Sequence, residues 1–253
     1  MAFDGITVAA LTKEFRDQLL GGYIQKIAQP EQDELILTIK NNRKNHKLLI
    51  SASASLPLIH LTSQNKMSPL TAPNFCMLLR KHLSSARILD IKQPSLERII
   101  EFHLENLNEL GDLVQRRLIV ELMGKHSNII LVDQDGQIMD AIKHINGLMS
   151  SVREVLPGRT YFVPNTRNKL NPFEADVSVW NRDIFPKPMP LAKAIYSSLT
   201  GFSSTTSHEI AYRAKLDGDQ PTAALNGNQH SALLDQFRNL MDLIQKGDFS
   251  PCI

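Results

Sequence analysis

Leu96-Glu97-Arg98-Ile99-Ile100-Glu101-Phe102-His103-Leu104-Glu105 and Leu113-Val114-Gln115-Arg116-Arg117-Leu118-Ile119-Val120-Glu121-Leu122-Met123 are two runs in which apolar and polar side chains largely alternate. A period of two is that of a β-strand. Between them Asn106 to Asp112 is polar and contains Gly111, the make-up of a hairpin loop. The pair predicts a long antiparallel hairpin with Leu96, Arg98, Ile100, Phe102 and Leu104 on one face. A guanidinium on an apolar face either snorkels past the strand end or takes a carboxylate or phosphate partner, because unpaired burial is costly. Symmetric pairing about the loop places Glu101 opposite Arg117, an ordinary cross-strand ion pair. It also places Glu97 opposite Glu121, two carboxylates that repel unless a cation lies between them. Arg98 and Lys125 are close in sequence, so Glu97, Arg98, Glu121 and Lys125 form a candidate polar site.

Outward toward the amino terminus, Asp4 is a plausible helix cap, and Val8, Leu11, Phe15 and Leu19 recur at helical spacing up to Gly21-Gly22. The period then becomes two, with Leu35, Leu37 and Ile39 on one strand, Leu48, Ile50 and Ala52 on the next, and a polar turn at 41–46 between them. A short helix after Pro73 carries Phe75, Leu78, Leu79, His82 and Leu83 on one side, with Arg80 and Lys81 near its end. Asp135-Gly136 signals another hairpin, joining 129–132 to 138–142. Outward toward the carboxyl terminus, Leu156-Pro157-Gly158-Arg159 reads as a type II turn. Prolines then crowd a stretch without periodicity, predicting a linker over 173–190 between a domain of residues 1–172 and a small helical domain of residues 191–253. The end of the chain carries no anchoring element, which predicts that the natural protein continues.

The 253 residues are 42% apolar and 21% charged, with a net charge of +2 and two cysteines. These proportions fit a globular chain, exclude a disulfide framework and give no global pull on nucleic acid. No run of about 18 apolar residues and no signal sequence occurs, so a cytoplasmic protein without membrane insertion is expected.

Enzymatic readings fail on spacing. Gly124-Lys125-His126-Ser127 resembles the end of a phosphate-binding loop, but the first Gly of that loop would fall on Ile119. His103-Leu104-Glu105 lacks the cysteine pair of a zinc deaminase. No nucleophile elbow, zincin or dinucleotide-binding pattern is present. The expectation is a non-enzyme without cofactors.

What remains is local charge. Lys40, Arg43, Lys44, His46 and Lys47 cluster at one hairpin tip, either a solvated turn or a track for a phosphate backbone. Leu199-Thr200-Gly201-Phe202-Ser203 followed by Glu209-Ile210-Ala211 has the outline of a helix-hairpin-helix, whose turn presents N–H groups to a phosphate. Ser203 stands where such turns usually carry a second Gly, and a purely structural helical hairpin is the equal alternative.

Phe3-Asp4-Gly5, Leu79-Arg80-Lys81-His82-Leu83, Glu97-Arg98-Ile99-Ile100, Glu121-Leu122-Met123-Gly124-Lys125-His126-Ser127-Asn128 and Leu156-Pro157-Gly158 together resemble the amino-terminal domain of NFACT proteins. The resemblance implies an α+β fold, a β-sandwich with flanking helices akin to the amino-terminal domain of formamidopyrimidine-DNA glycosylases, followed by a small all-α helix-hairpin-helix domain. It does not imply their activity, since Ala2 and Phe3 stand where those enzymes carry a catalytic Pro and Glu. Functionally it implies ribosome-associated quality control. The partners would be tRNA carrying alanine and a large ribosomal subunit blocked by a stalled peptidyl-tRNA, with alanine tailing as the result.

The resemblance places an Asp-Arg pair of the family on Glu97 and Arg98, with Glu departing from Asp. Candidate RNA-binding residues are therefore Glu97, Arg98, Glu121, Gly124, Lys125, His126, Ser127, Asn128, Arg80, Lys81, Lys40, Arg43 and Lys44. A coiled coil and a further RNA-binding domain are implied beyond the chain. The alternative, of a different class, is a fibronectin- or fibrinogen-binding adhesin reaching the cell surface without a signal peptide.

Overall fold

The computed structural model describes residues 3–164 and 168–250, so the departure at Ala2 and the last residues, 251–253, lie outside the described part. The chain divides into two compact units. One comprises Met1–Phe3, Leu11–Gln93 and Arg98–Pro164; the other comprises Asp4–Ala10, Pro94–Glu97 and Asn165–Ile253.

Among the described residues the first unit holds nine strands, β1 (Tyr23–Glu31), β2 (Glu34–Asn41), β3 (Lys44–Ser51), β4 (Leu58–Thr62), β5 (Arg87–Lys92), β6 (Ile99–Leu107), β7 (Leu113–Glu121), β8 (Asn128–Val132) and β9 (Ile138–Ala141), of which the two-residue periods predicted β2, β3 and β6 to β9. Leu35, Leu37, Ile39, Leu48, Ile50 and Ala52 are all buried, as their alternation requires. Where the resemblance implied a sandwich of two sheets, one antiparallel sheet of nine strands runs in the order β4-β3-β2-β1-β5-β6-β7-β8-β9. β1 and β5 share the single register pair Tyr23–Arg87, a seam between two halves. Laid flat, β3 and β9 would be roughly 34 Å apart at the usual strand spacing. Yet the Lys143 ammonium, just beyond β9, donates to the carbonyl of Ala52, just beyond β3. The sheet therefore curls back on itself.

Helix α2 (Asn74–Leu83) buries Phe75, Cys76, Leu79 and Leu83, and its Arg80 Nε donates to the Ile27 carbonyl of β1 at 2.9 Å. The β2–β3 turn is tighter than the polar segment at 41–46 predicted. Only Asn42 and Arg43 lie outside the strands, at φ of 46° and 65°. Two successive left-handed residues are what a two-residue hairpin demands, here met without glycine.

The β6–β7 register differs from the symmetric expectation. Ile99 faces Glu121, Glu101 faces Ile119 and His103 faces Arg117. The Asn108 side chain accepts from the N–H groups of Leu110 and Asp112, closing the loop at the Leu107–Leu113 pair. The slide is one pair along, and a period of two keeps every side chain on its face while changing its partner. β6 starts at Ile99 because Pro94–Glu97 makes a turn, with the Glu97 N–H donating to the Pro94 carbonyl at 2.9 Å. Leu96 is thus not a strand residue but a buried member of the second unit's core.

That second core is helical. The stretch read as a linker, 173–190, is folded: Val177–Val179 is a short helix (α3) capped by Asp176, continued by a π-helical turn at Trp180–Ile184. Trp180 is fully buried, with ring centroids of Phe185 and Phe237 at 5.4 and 4.9 Å. Periodicity failed here because several short turns, each too brief to show 3.6-residue repetition, supply the apolar groups. The predicted helices follow as α4 (Leu191–Ser198), α5 (Ser204–Arg213) and α6 (Gly227–Lys246). α6 opens on a capping box formed by Asn226 and Gln229 and stops at Gly247, at φ 68°.

α1 (Gly5–Leu19) begins in this second unit and ends in the first. Its first residue is pressed against backbone: the Gly5 N–H donates to the Gly201 carbonyl at 2.8 Å, and a Cβ on Gly5 would stand 2.0 Å from the Leu96 carbonyl oxygen.

Candidate nucleic-acid interface

Glu121 ends β7 with its side chain turned inward, and it is fully buried. The Arg153 guanidinium donates to its Oε2, and the Tyr161 hydroxyl donates to Oε1 at 3.0 Å. Arg153 also donates to the Phe162 carbonyl at 2.7 Å and lies over the Tyr161 ring at 5.4 Å. Burial works against the charge on Arg153, but its hydrogen bond to Glu121 and the charge of Glu121 outweigh that and raise its pKa. Burial and the neighbouring Glu121 carboxylate push Tyr161 up as well, so its hydroxyl stays protonated and able to donate. The cation that sequence reasoning required beside Glu121 exists. It is Arg153 rather than Arg98 or Lys125, and the carboxylate it neutralises has no counterpart in Glu97.

Glu101 collects a second pair. Arg117, two residues from the directly opposed Ile119, reaches its Oε2 at 3.2 Å, and His103 Nε2 lies 3.4 Å from the same oxygen. The expected Glu101–Arg117 pair therefore forms diagonally. Burial raises the Glu101 pKa, but His103 and Arg117 together overcome it and leave the value below the ordinary carboxylate range. A folded-state pKa below the unfolded one stabilises the fold above about pH 4.3. That contribution disappears as pH falls through the folded value. Urea midpoints measured between pH 6 and pH 3 should fall less steeply in Glu101→Gln than in the unaltered protein, and parallel curves would refute the assignment.

The rest of the Glu121 to Asn128 block is mostly architecture. Gly124 starts a 3-10 turn at φ 60°, a left-handed position that favours glycine. The buried Ser127 hydroxyl accepts from the Met123 N–H at 2.8 Å, and the Asn128 amide ties β8 to the segment after β9 through the Lys143 N–H and carbonyl. Only Lys125 and His126 of this block face outward. Gly124, Ser127 and Asn128 thus shape the turn that presents Lys125 and His126.

Glu97 and Arg98 are half-buried just ahead of β6 and neither is without a partner. Leu122 N–H donates to the Arg98 carbonyl at 2.8 Å, which fixes the backbone there. Arg98 therefore does not extend the apolar face of a strand; it precedes one. Lys81 is exposed and 3.2 Å from Glu109, a weak surface pair. Lys40, Arg43 and Lys44 are exposed at the β2–β3 tip, and among the described residues no ion pair holds them. The Asn41 amide anchors that tip by donating to the carbonyls of Gln18 and Leu20 at the end of α1.

The turn between α4 and α5 has a geometry that sequence reading did not supply. Ser203 caps α5 by accepting from the Thr206 N–H at 3.1 Å. The Asp4 carboxylate stands at this helix start, accepting from the Ser203 and Thr206 hydroxyls at 2.8 and 2.7 Å while its other oxygen accepts from the Thr7 N–H at the start of α1. An acidic side chain thus stands where a phosphate was expected to approach, since both are drawn to the positive end of a helix.

The model of the NFACT N-terminal and middle domains matches residues 4–253. This chain belongs to the NFACT family. It is 41% identical over 217 residues to "Rqc2 homolog RqcH" of Bacillus subtilis (strain 168), covering 85% of this chain and 38% of that protein. It is 25% identical over 141 residues to the human "Ribosome quality control complex subunit NEMF", covering 56% of this chain and 12% of that one. The solved amino-terminal part of the fibronectin/fibrinogen-binding protein from Streptococcus suis superposes with a TM-score of 0.80 at 36% identity, covering 95% of this chain and 85% of that one. This NFACT chain spans about two fifths of the length of its bacterial relative.

Proposed function

We propose that this NFACT chain is the RNA-holding portion of a ribosome quality control factor. It engages tRNA, of the alanine-accepting kind, on a large subunit obstructed by a stalled peptidyl-tRNA, so that the stalled chain is tailed with alanine. The protein positions its partners and makes or breaks no bond itself. The observation that carries this reading is the 41% identity to a protein named as an Rqc2 homologue, within a family model that spans residues 4–253. Local chemistry supports it: Lys40, Arg43, Lys44, Lys125 and His126 are exposed on or beside turns whose shapes are held by side-chain hydrogen bonds of Asn41 and Ser127. Cations on rigid turns suit phosphate contacts, because little entropy is lost when they bind.

Arg98 is the test residue. Arg98→Ala should weaken tRNA retention by roughly ten- to a hundred-fold in filter binding, the scale of one charge-assisted hydrogen bond of about 1.5–3 kcal/mol. The affinity of the unaltered protein should fall steeply with salt. Circular dichroism should stay the same in the variant. Equal affinity with and without the guanidinium would remove Arg98 from the interface, and absence of both tRNA and large subunits from a pull-down of the full-length protein would remove the whole reading.

The likeness to the fibronectin/fibrinogen-binding protein of Streptococcus suis favours fibronectin binding as a second reading, and β4, an outer strand of the sheet, offers an edge to which an extended segment could add. A fibronectin fragment that fails to bind the purified protein would dispose of it.

A further inference from the structure

At the seam of the sheet, Tyr23 at the start of β1 has Lys40 of β2 as its register partner on one side and Arg87 of β5 on the other. Directly opposed residues project from the same face with Cβ atoms about 5 Å apart. The next residues inward on β1 and β2, Ile24 and Ile39, are buried on the core face, which puts Tyr23 and Lys40 on the outer one. Tyr23 is 50% exposed, and Lys40 and Arg87 are exposed beside it. Among the described residues neither cation takes part in an ion pair, although Glu105 is the register partner of Arg87 on β6. The guanidinium groups that lie over a tyrosine ring do so at Tyr161 rather than at Tyr23. A phenol ring thus lies open between two cations held in no close ion pair, with the Glu105 carboxylate beside Arg87. Tyrosine is common in strands, so what singles out this one is the cation on either side of an exposed ring.

We propose that Tyr23, between Lys40 and Arg87 on the outer face of the sheet, is a stacking platform for one unpaired RNA base whose flanking phosphates the two cations hold. The inference rests on the RNA-holding reading above and adds to it the form of RNA taken: a single-stranded or loop nucleotide rather than a duplex. Duplex RNA hides its base faces, so an aromatic ring is useful only where a base is unstacked. Lys40 and Arg87 come from strands two places apart, roughly 10 Å at the usual spacing, so long side chains can turn toward phosphates on either side of one stacked nucleotide. Arg43, at the adjoining β2–β3 tip, is exposed too, whereas Lys44 opposes Asn41 and so projects from the other face.

The experiment measures binding of the purified protein to unmodified tRNA and to a short single-stranded polyadenylate, over a series of salt concentrations. Tyr23→Phe should keep the affinity for both RNAs, whereas Tyr23→Ala and Tyr23→Leu should each lose roughly 5- to 150-fold, the scale of one base–aromatic stack. Lys40→Gln and Arg87→Gln should each make the salt dependence on polyadenylate shallower by about 0.7 in logarithmic slope. The leucine variant preserves apolar bulk, so its loss together with an unchanged thermal midpoint separates stacking from folding. If the unaltered protein binds neither RNA, the RNA-holding reading falls and this inference with it. If it binds and Tyr23→Ala binds equally well, or if the phenylalanine variant loses as much as the alanine one, the platform is refuted while the broader reading stands.

Discussion

Glu121→Ala is expected to cost about 3–5 kcal/mol of stability, the range found when one member of a buried ion pair is removed. The reason is the partner left behind. Arg153 has a side chain only 10% exposed, and without the Glu121 carboxylate its guanidinium would be charged, largely dry and unneutralised. Tyr161 would lose the acceptor for its hydroxyl in the same step. Urea denaturation should show a lowered midpoint with an unchanged slope, since the surface exposed on unfolding stays the same. The double variant Glu121→Ala with Arg153→Leu should regain much of the loss, because an apolar replacement of both partners leaves no orphaned charge. A single variant within about 1 kcal/mol of the unaltered protein would show that water reaches the pair and that the network is not structural. Any RNA-binding defect in Glu121 variants should track this loss of stability rather than a lost contact.

Gly5→Ala should be nearly as damaging to the second unit. Its new methyl would sit 2.0 Å from the Leu96 carbonyl oxygen and 2.5 Å from Gly201 Cα, and both are backbone atoms that cannot rotate away. Overpacking against backbone should cost at least about 3 kcal/mol. Trp180 is the one tryptophan of the chain and is buried in this unit, so its fluorescence reports the loss directly. Gly111→Ala is the matching control. That position has a left-handed φ, 86°, which Gly5 does not, and open space around it, so only the conformational penalty of about 1 kcal/mol should appear. Equal midpoints for Gly5→Ala and the unaltered protein would mean that the Gly5–Gly201 approach is not close in solution.

Much of the strand content was legible because alternation is a local signal. The faces of β2 and β3, the β8–β9 hairpin at Asp135-Gly136 and the amphipathic α1 and α6 follow from residues within one element and its neighbours. The β6–β7 register was not legible, since it turned on which groups the Asn108 side chain would cap, and a slide of one pair leaves the alternation untouched. The folded state of 173–190 was hidden for a related reason: Trp180, Ile184 and Phe185 are apolar residues without a helical run long enough to show a period, and their burial depends on α4 and α6 being nearby.

Of the candidate site, the family and its motif blocks could be recognised from residues alone, and so could the exposed charges at Lys40, Arg43, Lys44 and Lys125. The sequence by itself therefore determined the α+β character, the presence of several strands and helices and the membership in the NFACT family, because these are written in local periodicity and in contiguous motifs. Only the tertiary structure decided which charges are spent internally and which remain outward. Arg153 and Tyr161 reach Glu121, and Ser203 and Thr206 reach Asp4, across separations of 32 to about 200 residues. Pairings over such distances leave no trace in local pattern, because they depend on how the chain closes its loops rather than on which residues adjoin.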